Sequence, residues 1–547
     1  MLGMRRYLLL LICVFITSIS IAQSTDKNTE KILEKGKQLY TEGKYAKVIE
    51  VLKPLADSGQ KTALRKVADA YRMLNNAIDA EPYYAKIMEE KNPPVMYYLH
   101  YGWALMQNKK YELAKTQFLT FEKLNPDDKR GKEMALACEK SIALEKSLKD
   151  TTINSINISN VPNTAVSKTY YFPKEKPTVV NINYNSDADD FGAVFYKNGI
   201  IFSSSRSEGI QFIRKKDQVT GDAYLNVFMN NDTSKNEIER IKGNVNTLLY
   251  NSGPVCFDST QNKIYFTRNN VLQGETGASK KGEIKLKIYE ATSENDVFKD
   301  VKALEFNGEE FSNAYPTITP DGKRIYFTSD RAGGKGGKDI FMSEFKKGKW
   351  QKPLNVSINT AGNERFPFIH PDGCLYFSSD GLTGLGGLDI FKAYPVNGDT
   401  TGTQFERTEN MGKNFNTSRD DFSFMANSLY TEGYFASNRE GGKGGDDIYH
   451  FFFENCLTNV QIKNEADSTV TPYVRINFIP SDGKPSILVA SDNEGKISAR
   501  LYPNTNYQLN CLNEHWEISQ TNIKTGINGS VLDKEIYVRL KKKKEGE

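Results

Sequence analysis

Five short aromatic-rich segments recur along the middle of the chain, and this repeat limits the fold more than any other feature. Each has the alternating pattern of a β-strand and follows another strand-like segment about ten residues earlier. The aligned dipeptides are Ile201-Phe202, Tyr265-Phe266, Tyr326-Phe327, Tyr376-Phe377 and Tyr434-Phe435, which lie 64, 61, 50 and 58 residues apart. Repeats of this length that contain only strands predict a β-propeller, here over residues 160–454 and with five or six blades.

Two of the turns inside this repeat have a defined chemistry. The segments Pro320–Gly322 and Pro371–Gly373 both read Pro-Asp-Gly. Proline fixes φ near the value that the turn needs, and glycine accepts a positive φ. Each segment therefore predicts a hairpin turn between two strands.

A second repeat, helical this time, precedes the strands. Small residues recur at Gly36, Ala68 and Gly102, spaced by 32 and 34 residues, with large residues at fixed offsets. This pattern predicts three helical hairpins within residues 23–150 and a closing helix over 132–149. Such a stack is curved, and the first helix of each pair lines its concave face. The side chains expected on that face are Leu33, Lys37, Tyr40, Arg65, Asp69, Arg72, Leu99, Trp103 and Met106.

Tyr40, Arg65, Arg72 and Trp103 combine aromatic and guanidinium groups, which is the composition of protein-binding hot spots. We therefore expect them to bind a partner. The alternative is that Trp103 and Met106 pack against the closing helix, since core packing is the common fate of an apolar stripe.

The two ends of the chain differ in character. Residues 1–22 contain Arg5 and Arg6, an apolar run and small residues before Gln23, which predicts a cleaved signal peptide. Its removal lowers the formal charge from +4 to +2, which gives no argument for nucleic-acid binding. Residues 455–547 contain alternating strands and a basic tail, and predict a β-sandwich.

Five cysteines remain after the expected cleavage, an odd number that does not indicate a disulfide framework. Only Cys456 and Cys511 fall in one predicted domain, where they are either bridged or free.

These segments resemble known families. The hairpins are similar to tetratricopeptide repeats, and Thr319–Arg331 resembles the WD40-like repeat called PD40, known from TolB. The order of these repeats, the propeller and a carboxypeptidase-regulatory-like sandwich resembles the PorE-like envelope proteins of bacteria with type IX secretion. The resemblance implies a scaffold in the periplasm, attached to the inner face of the outer membrane. Many members continue into an OmpA-like domain that binds peptidoglycan, which this sequence lacks, so peptidoglycan binding is not expected.

Three of the family-like segments share Gly-Gly-x-Asp-Ile followed by an aromatic residue, with Asp339, Asp389 and Asp447 before a strand. Carboxylates in Gly-rich loops suit a calcium ion, but no loop has the alternating acidic ligands of a calcium site. The favoured interpretation is a structural turn in which aspartate accepts backbone N–H groups. Arginines follow four of the aligned strands and either form a partner-facing rim, with Arg331 and Arg439 as candidates, or brace neighbouring blades. They are Arg206, Arg268, Arg331 and Arg439.

No catalytic, cofactor or metal motif is evident. The four histidines are widely separated, and there is no nucleophile elbow and no phosphate-binding loop. The pairs Asp189-Asp190 and Asp420-Asp421 recur at one point of the repeat, which favours a turn over glycan-cleaving chemistry. Two hypotheses follow: a non-catalytic scaffold that binds envelope proteins of a secretion or gliding machinery, or a protein that binds a glycan or cell-wall polymer.

Overall fold

The computed structural model describes the chain from residue 28 to residue 540, except for residues 75, 150–175, 207–216, 218, 234, 248–249, 273–274, 429, 484–485, 514, 520–521 and 529. The expected signal peptide and basic tail lie outside the described residues. The described chain is helical at its N-terminal end and rich in β-strands beyond it, which confirms the predicted change from helices to strands.

Six helices form three antiparallel pairs, and a longer seventh helix follows. They are α1 (residues 28–41), α2 (Tyr45–Asp57), α3 (Lys61–Met73), α4 (Ala77–Met88), α5 (Val95–Gln107), α6 (Tyr111–Leu124) and α7 (Arg130–Lys149). The small residues lie where paired helices touch: a Cβ on Gly36 would overlap Leu52, and one on Gly102 would overlap Phe118. Close packing of the pairs therefore depends on these two glycines.

Five sheets follow, which we number in chain order; their strands pair mainly antiparallel. Sheet 1 contains β2 (Asp190–Tyr196), β3 (Gly199–Ser204), β4 (Asn226–Asn230) and β5 (Glu239–Arg240). Sheet 2 contains β6 (Lys242–Gly243), β7 (Ser252–Phe257), β8 (Lys263–Asn269), β11 (Leu286–Glu294) and β12 (Val297–Ala303), with the small pair β9 (Val271–Leu272) and β10 (Glu275–Thr276) beside it in sequence. Within sheet 2, β6 pairs parallel with β12.

Sheet 3 contains β13 (Asn313–Ile318), β14 (Arg324–Ser329), β15 (Asp339–Lys346), β16 (Lys349–Trp350) and β17 (Leu354–Asn355). Sheet 4 contains β18 (Glu364–Ile369), β19 (Leu375–Ser379), β20 (Asp389–Pro395) and β21 (Phe405–Asn410). Sheet 5 contains β22 (Asp421–Ala426), β23 (Glu432–Ser437), β24 (Asp447–Phe452) and, from before sheet 1, β1 (Thr178–Asn181). We call β2, β7, β13, β18 and β22 the first strands of sheets 1 to 5, and β3, β8, β14, β19 and β23 their second strands. All five aligned dipeptides lie in second strands.

Two further four-stranded sheets enclose a core that includes Val460, Ile476, Phe478, Leu509 and Ile536. The first contains β25 (Cys456–Asn464), β28 (Lys496–Leu501), β30 (Trp516–Ile518) and β32 (Val531–Leu540). The second contains β26 (Arg475–Pro480), β27 (Ile487–Ala490), β29 (Asn506–Cys511) and β31 (Asn522–Lys524). The chain divides into two compact units: the helices with Asn181–Met425 and Tyr434–Tyr449, and the remainder with this C-terminal pair of sheets.

The first strand of each of sheets 1 to 5 carries one residue with positive φ. These residues are Gly192 (69°), Gly253 (103°), Tyr315 (58°), Phe366 (52°) and Ser423 (55°). In sheets 1 to 4 the strand register shifts at this residue, so each is a β-bulge. The five first strands approach one another, and the rings of Tyr315 and Phe366 stack with centroids 4.0 Å apart. These strands therefore surround a common centre.

A repeated asparagine joins each of these sheets to the one before it. Asn359, before sheet 4, accepts a hydrogen bond from the backbone N–H of Ile340 in sheet 3 and donates to its carbonyl, both at 2.8 Å. Asn416 does the same with Ile390 of sheet 4. Asn185, before sheet 1, bonds in this way to Ile448 of sheet 5. The complete set, here called the asparagine bridges, is Asn185, Asn246, Asn307, Asn359 and Asn416. The last sheet is thus bonded to the first.

Candidate functional site

The predicted partner-binding residues on the helices lie around a buried polar cluster. Arg65 forms an ion pair with Glu90, and Arg72 lies 3.8 Å from Asp69. The two arginine side chains remain 33% and 35% exposed. Each arginine side chain therefore pairs with a carboxylate of the same molecule while about a third of its surface remains exposed.

Asp69 is the centre of this cluster. The hydroxyls of Tyr84 and Tyr97 donate to its carboxylate at 3.1 and 3.0 Å, and Nδ1 of His100 lies 3.4 Å away. Burial alone would raise the pKa of Asp69, but the hydrogen bond and charge of His100 and the charge of Arg72 outweigh it and lower the pKa. Burial lowers the pKa of His100. The cluster connects three consecutive helices, so it stabilises the stack as well as shaping its surface.

The two aromatic candidates differ in their surroundings. Tyr40 is half-buried, with Nζ of Lys66 3.8 Å from its ring centroid. Trp103 packs against a core that includes Met134 and Cys138 of α7, as the packing alternative expected. Met106 belongs to that core and is 4% exposed.

Leu99 was expected on the concave face, and that expectation is wrong. It is 2% exposed and belongs to the core that Phe118 and Phe121 of α6 help to form. The face predicted for partner binding is therefore narrower at its third pair of helices than the repeat pattern indicates.

Arg331 and Arg439 occupy equivalent positions in sheets 3 and 5 and make internal contacts. Nη2 of Arg439 donates to Oδ1 of Asp421 and to the carbonyl of Phe415, both at 2.7 Å, and Nε donates to Ser437. Arg331 donates to Asn313, Ser329 and the carbonyl of Phe306 in the same pattern. Both guanidinium groups lie over aromatic rings of their own sheets. These contacts join each arginine to its own sheet and to the segment that precedes it, not to a strand of a neighbouring sheet. Partner binding by the two arginines stays a prediction.

Sheet 4 differs from sheets 3 and 5, because Gly381 stands where they have arginine. The equivalent carboxylate, Glu364, is fully buried and accepts hydrogen bonds from the backbone and hydroxyl of Thr360 and the hydroxyl of Ser379. Burial raises the pKa of Glu364 to about 8 despite these donors.

Each of the three Gly-Gly-x-Asp loops contacts the next sheet. Asp389 accepts hydrogen bonds from the backbone N–H groups of Leu385 and Gly386 at 2.6 and 3.1 Å, and Asp339 and Asp447 accept equivalent pairs. The structural-turn interpretation is therefore what the geometry shows. A Cβ on Gly336, Gly386 or Gly444 would overlap a backbone carbonyl of the next sheet. Only glycine allows these loops to approach so closely.

The Gly-rich loop of sheet 4 also forms hydrogen bonds with the helices. The Tyr111 hydroxyl of α6 donates to the carbonyl of Gly384 at 3.2 Å, and the N–H of Gly384 donates to Ser141 of α7 at 3.4 Å. Where sheets 3 and 5 have Lys335 and Lys443, this loop has Leu385, which is 8% exposed. An apolar loop can pack against helices without burying charge. A cleft of about 840 Å³ beside this contact is lined by Arg130 and Thr360 among others.

Charged side chains from three sheets converge near the Gly-rich loops. The charge of Arg365, together with burial, lowers the pKa of Lys338 to about 7. Burial raises the pKa of Asp420 to about 6, and raises that of Asp446 as well. Among the described residues, no group of three or more His, Cys, Asp or Glu side chains is placed to bind a metal ion.

Cys456 and Cys511 are free thiols, so of the two alternatives the structure has the unbridged one. The helices of the described segments include none long and apolar enough to cross a membrane.

Comparisons with known proteins give no family. No family model and no curated protein matches the chain. The exo-β-1,3-galactanase 1,3Gal43A of Clostridium thermocellum is similar over 64% of this chain and 87% of its own, with 12% identity and a TM-score of 0.32. TolB of Acinetobacter baumannii is similar over 58% of this chain, with 10% identity and a TM-score of 0.26. The match spans 62% of TolB, less than two thirds of its length. Similarities this low carry no argument about function.

Proposed function

We propose that the five sheets are the blades of a WD40-like (PD40) β-propeller and that the helical pairs are tetratricopeptide-type repeats. The support for a propeller is the asparagine bridges, which connect each sheet to its neighbour and the last sheet to the first. The C-terminal pair of sheets is the carboxypeptidase-regulatory-like sandwich of this proposal.

The function that we propose is a non-catalytic scaffold that binds other proteins of the cell envelope, in a type IX secretion or gliding machinery. One observation carries it: the helical pairs are fixed to sheet 4 through Gly384, while Tyr40, Arg65 and Arg72 stay partly exposed. A rigid helical surface with partly exposed aromatic and arginine side chains suits protein binding, because little order is lost when a partner docks.

The carboxylate pairs also support this function over glycan cleavage. Asp190 and Asp421 are fully buried, and each is bonded to an arginine, Arg206 or Arg439. In both sheets the carboxylate that is bonded to arginine lies at the first residue of a strand. This arrangement favours a structural role over that of an acid or base.

The proposed location is the periplasm, at the inner face of the outer membrane, and it rests on the sequence of residues 1–22 and on the family resemblance. Cell fractionation should recover a mature form that begins near Gln23 in the periplasm or with the outer membrane. A full-length form in the cytoplasm would overturn the location.

Crosslinking in intact cells tests the scaffold against cell-wall binding. The tagged protein should co-purify with outer-membrane proteins after crosslinking, and the purified protein should not sediment with isolated peptidoglycan above background. Saturable sedimentation with peptidoglycan, without any crosslinked protein, would favour the glycan-binding alternative.

A further inference from the structure

A cavity of about 260 Å³ lies at the centre of the five sheets, on the side of the bulges that faces the β7–β8 turn. The same short segment of each first strand lines it: Gly192–Phe195, Pro254–Phe257, Tyr315–Ile318, Phe366–Ile369 and Ser423–Met425. The stacked rings of Tyr315 and Phe366 form part of its wall. Ser259, an exposed residue of the β7–β8 turn, lines its edge and marks where the cavity meets solvent.

The wall is poor in hydrogen-bond donors. Three of the five segments have proline directly after the bulge residue, at Pro254, Pro316 and Pro367, and proline has no backbone N–H. The side chains around them are largely apolar, including Phe257 and Phe424. This surface therefore favours an apolar ligand.

Three polar side chains of the lining already have partners. The Thr317 hydroxyl accepts a hydrogen bond from the N–H of Ile369 at 3.2 Å. The Gln261 amide accepts from the N–H of Lys197 at 3.0 Å and donates to the carbonyl of Phe195 at 3.3 Å. The Asp258 carboxylate accepts from the N–H of Lys263. A sugar, whose hydroxyls each need a partner, would bury polar groups against this wall without replacing their bonds to water.

The volume limits the size of the ligand. An apolar cavity of about 150 Å³ accommodates benzene in another protein, and sites for drug-sized molecules begin at about 300 Å³. A cavity of about 260 Å³ lies between the two. It has room for one aromatic ring with its linking atoms.

We propose that this cavity binds a single uncharged aromatic group, supplied by a Phe or Tyr side chain of a partner polypeptide. The preformed walls from five strands hold the ring, and the β7–β8 turn leaves one side open to the rest of the polypeptide. This site does not depend on the helical surface of the proposed function, so either proposal can fail without the other.

Binding of small probes to the purified chain tests the proposal by calorimetry. N-acetyl-phenylalanine amide should bind saturably, and at least tenfold more tightly than N-acetyl-alanine amide or N-acetylglucosamine. Absence of saturable binding, or equal binding of the alanine derivative or the sugar, would overturn the proposal. Binding of toluene without binding of the phenylalanine amide would overturn the assignment to a polypeptide.

Ser423→Phe fills the cavity with a side chain that the fold already accommodates at equivalent positions. Tyr315 and Phe366 are aromatic residues at the same bulge with the same positive φ. The variant should bind N-acetyl-phenylalanine amide at least tenfold more weakly. Ser418→Phe places the same ring on an exposed residue and should leave binding unchanged. Unchanged binding by a folded Ser423→Phe variant would contradict the proposal.

A measurement on the unmodified chain covers the case in which Ser423→Phe does not fold. Met425 lines the cavity, whereas Met73 on α3 is 44% exposed. With 13C-labelled methionine methyl groups, assigned by Met→Leu variants, the phenylalanine amide should shift the Met425 signal and leave that of Met73 in place. A titration that leaves Met425 unmoved would refute the site.

Discussion

The backbone of Gly444 lies directly against the carbonyl group of Ala188, so the Gly-rich loop of sheet 5 is seated on the entrance to sheet 1. Two residues further on, the N–H of Asp190 donates to the carbonyl of Asp446 at 2.7 Å. Sheets 5 and 1 are the last and the first of the five in sequence. This contact therefore connects the last sheet to the first, in the same way that Gly336 connects sheet 3 to sheet 4 and Gly386 connects sheet 4 to sheet 5.

Gly444→Ala should lower the free energy of unfolding by about 3 kcal/mol or more, because the added methyl group meets backbone atoms that cannot move aside. Gly441→Ala, in the same loop, is the control. Gly441 has φ of +88° and open space around it, so alanine there should cost only the left-handed conformation, about 1–2 kcal/mol. Calorimetric unfolding of both variants compares them, and equal losses would show that the close approach of Gly444 is unimportant.

Arg439→Ala should destabilise the five-sheet unit by about 3–5 kcal/mol, since it leaves the fully buried Asp421 without its cation. Arg419→Ala should cost at most about 1 kcal/mol, because Arg419 pairs with Glu440, whose side chain is 89% exposed. Urea unfolding followed by circular dichroism gives both values. A loss as small as that of the control would argue that Arg439 is free to serve a partner.

The asparagine bridges can be tested by changing one donor. Asn416→Asp keeps the acceptor for the N–H of Ile390 but removes the Nδ2 donor to its carbonyl. We expect a loss of about 1–3 kcal/mol, the cost of leaving a buried carbonyl unpaired. Asn414→Asp, two residues earlier and only partly buried, should change stability by less than about 0.5 kcal/mol. Calorimetry that finds both variants alike would mean that the bridges contribute little.

Glu364 should make stability depend on pH in an unusual direction. Its pKa is about 8 in the folded chain against an ordinary value of 4.5, so between these values the folded state holds a proton that the unfolded state has released. The stabilisation of the folded state by protonated Glu364 is therefore complete below about pH 4.5. It is lost as the pH rises towards 8, by up to about 1.4 kcal/mol per pH unit. Glu364→Gln should reduce that slope when unfolding is measured from pH 5 to 8. An unaltered slope would place the pKa of Glu364 in its ordinary range.

The sequence predicted the repeated elements better than the contacts between them. The aromatic dipeptides located the second strand of every sheet, because alternation along one strand is a local signal. The asparagine bridges were missed, since Asn359 in a turn resembles any other turn residue until the fold brings Ile340 beside it. Only the recurrence of asparagine after an apolar residue could have revealed them.

The candidate site was harder to predict for the same reason. The composition of the helical face identified Arg65 and Arg72, but not their ion partners: Glu90 lies just beyond the end of α4, and Asp69 lies one turn away on α3. Trp103 sits at a position that the repeat places on an open surface, yet it packs against a core formed by residues of α5, α6 and α7. No single segment of the sequence predicts the central cavity, because five strands that are distant in sequence form it.

Site-specific photo-crosslinking tests the proposed scaffold role most directly. A photoreactive phenylalanine at Lys37, exposed on the first helix, reports on the predicted partner-binding face, and one at Glu50, exposed on α2, is the control. Neither position is buried, so both proteins should fold. We expect a discrete crosslink to an envelope protein from Lys37 and none from Glu50. No crosslink from Lys37, or the same products from both positions, would contradict a helical surface that binds a specific partner.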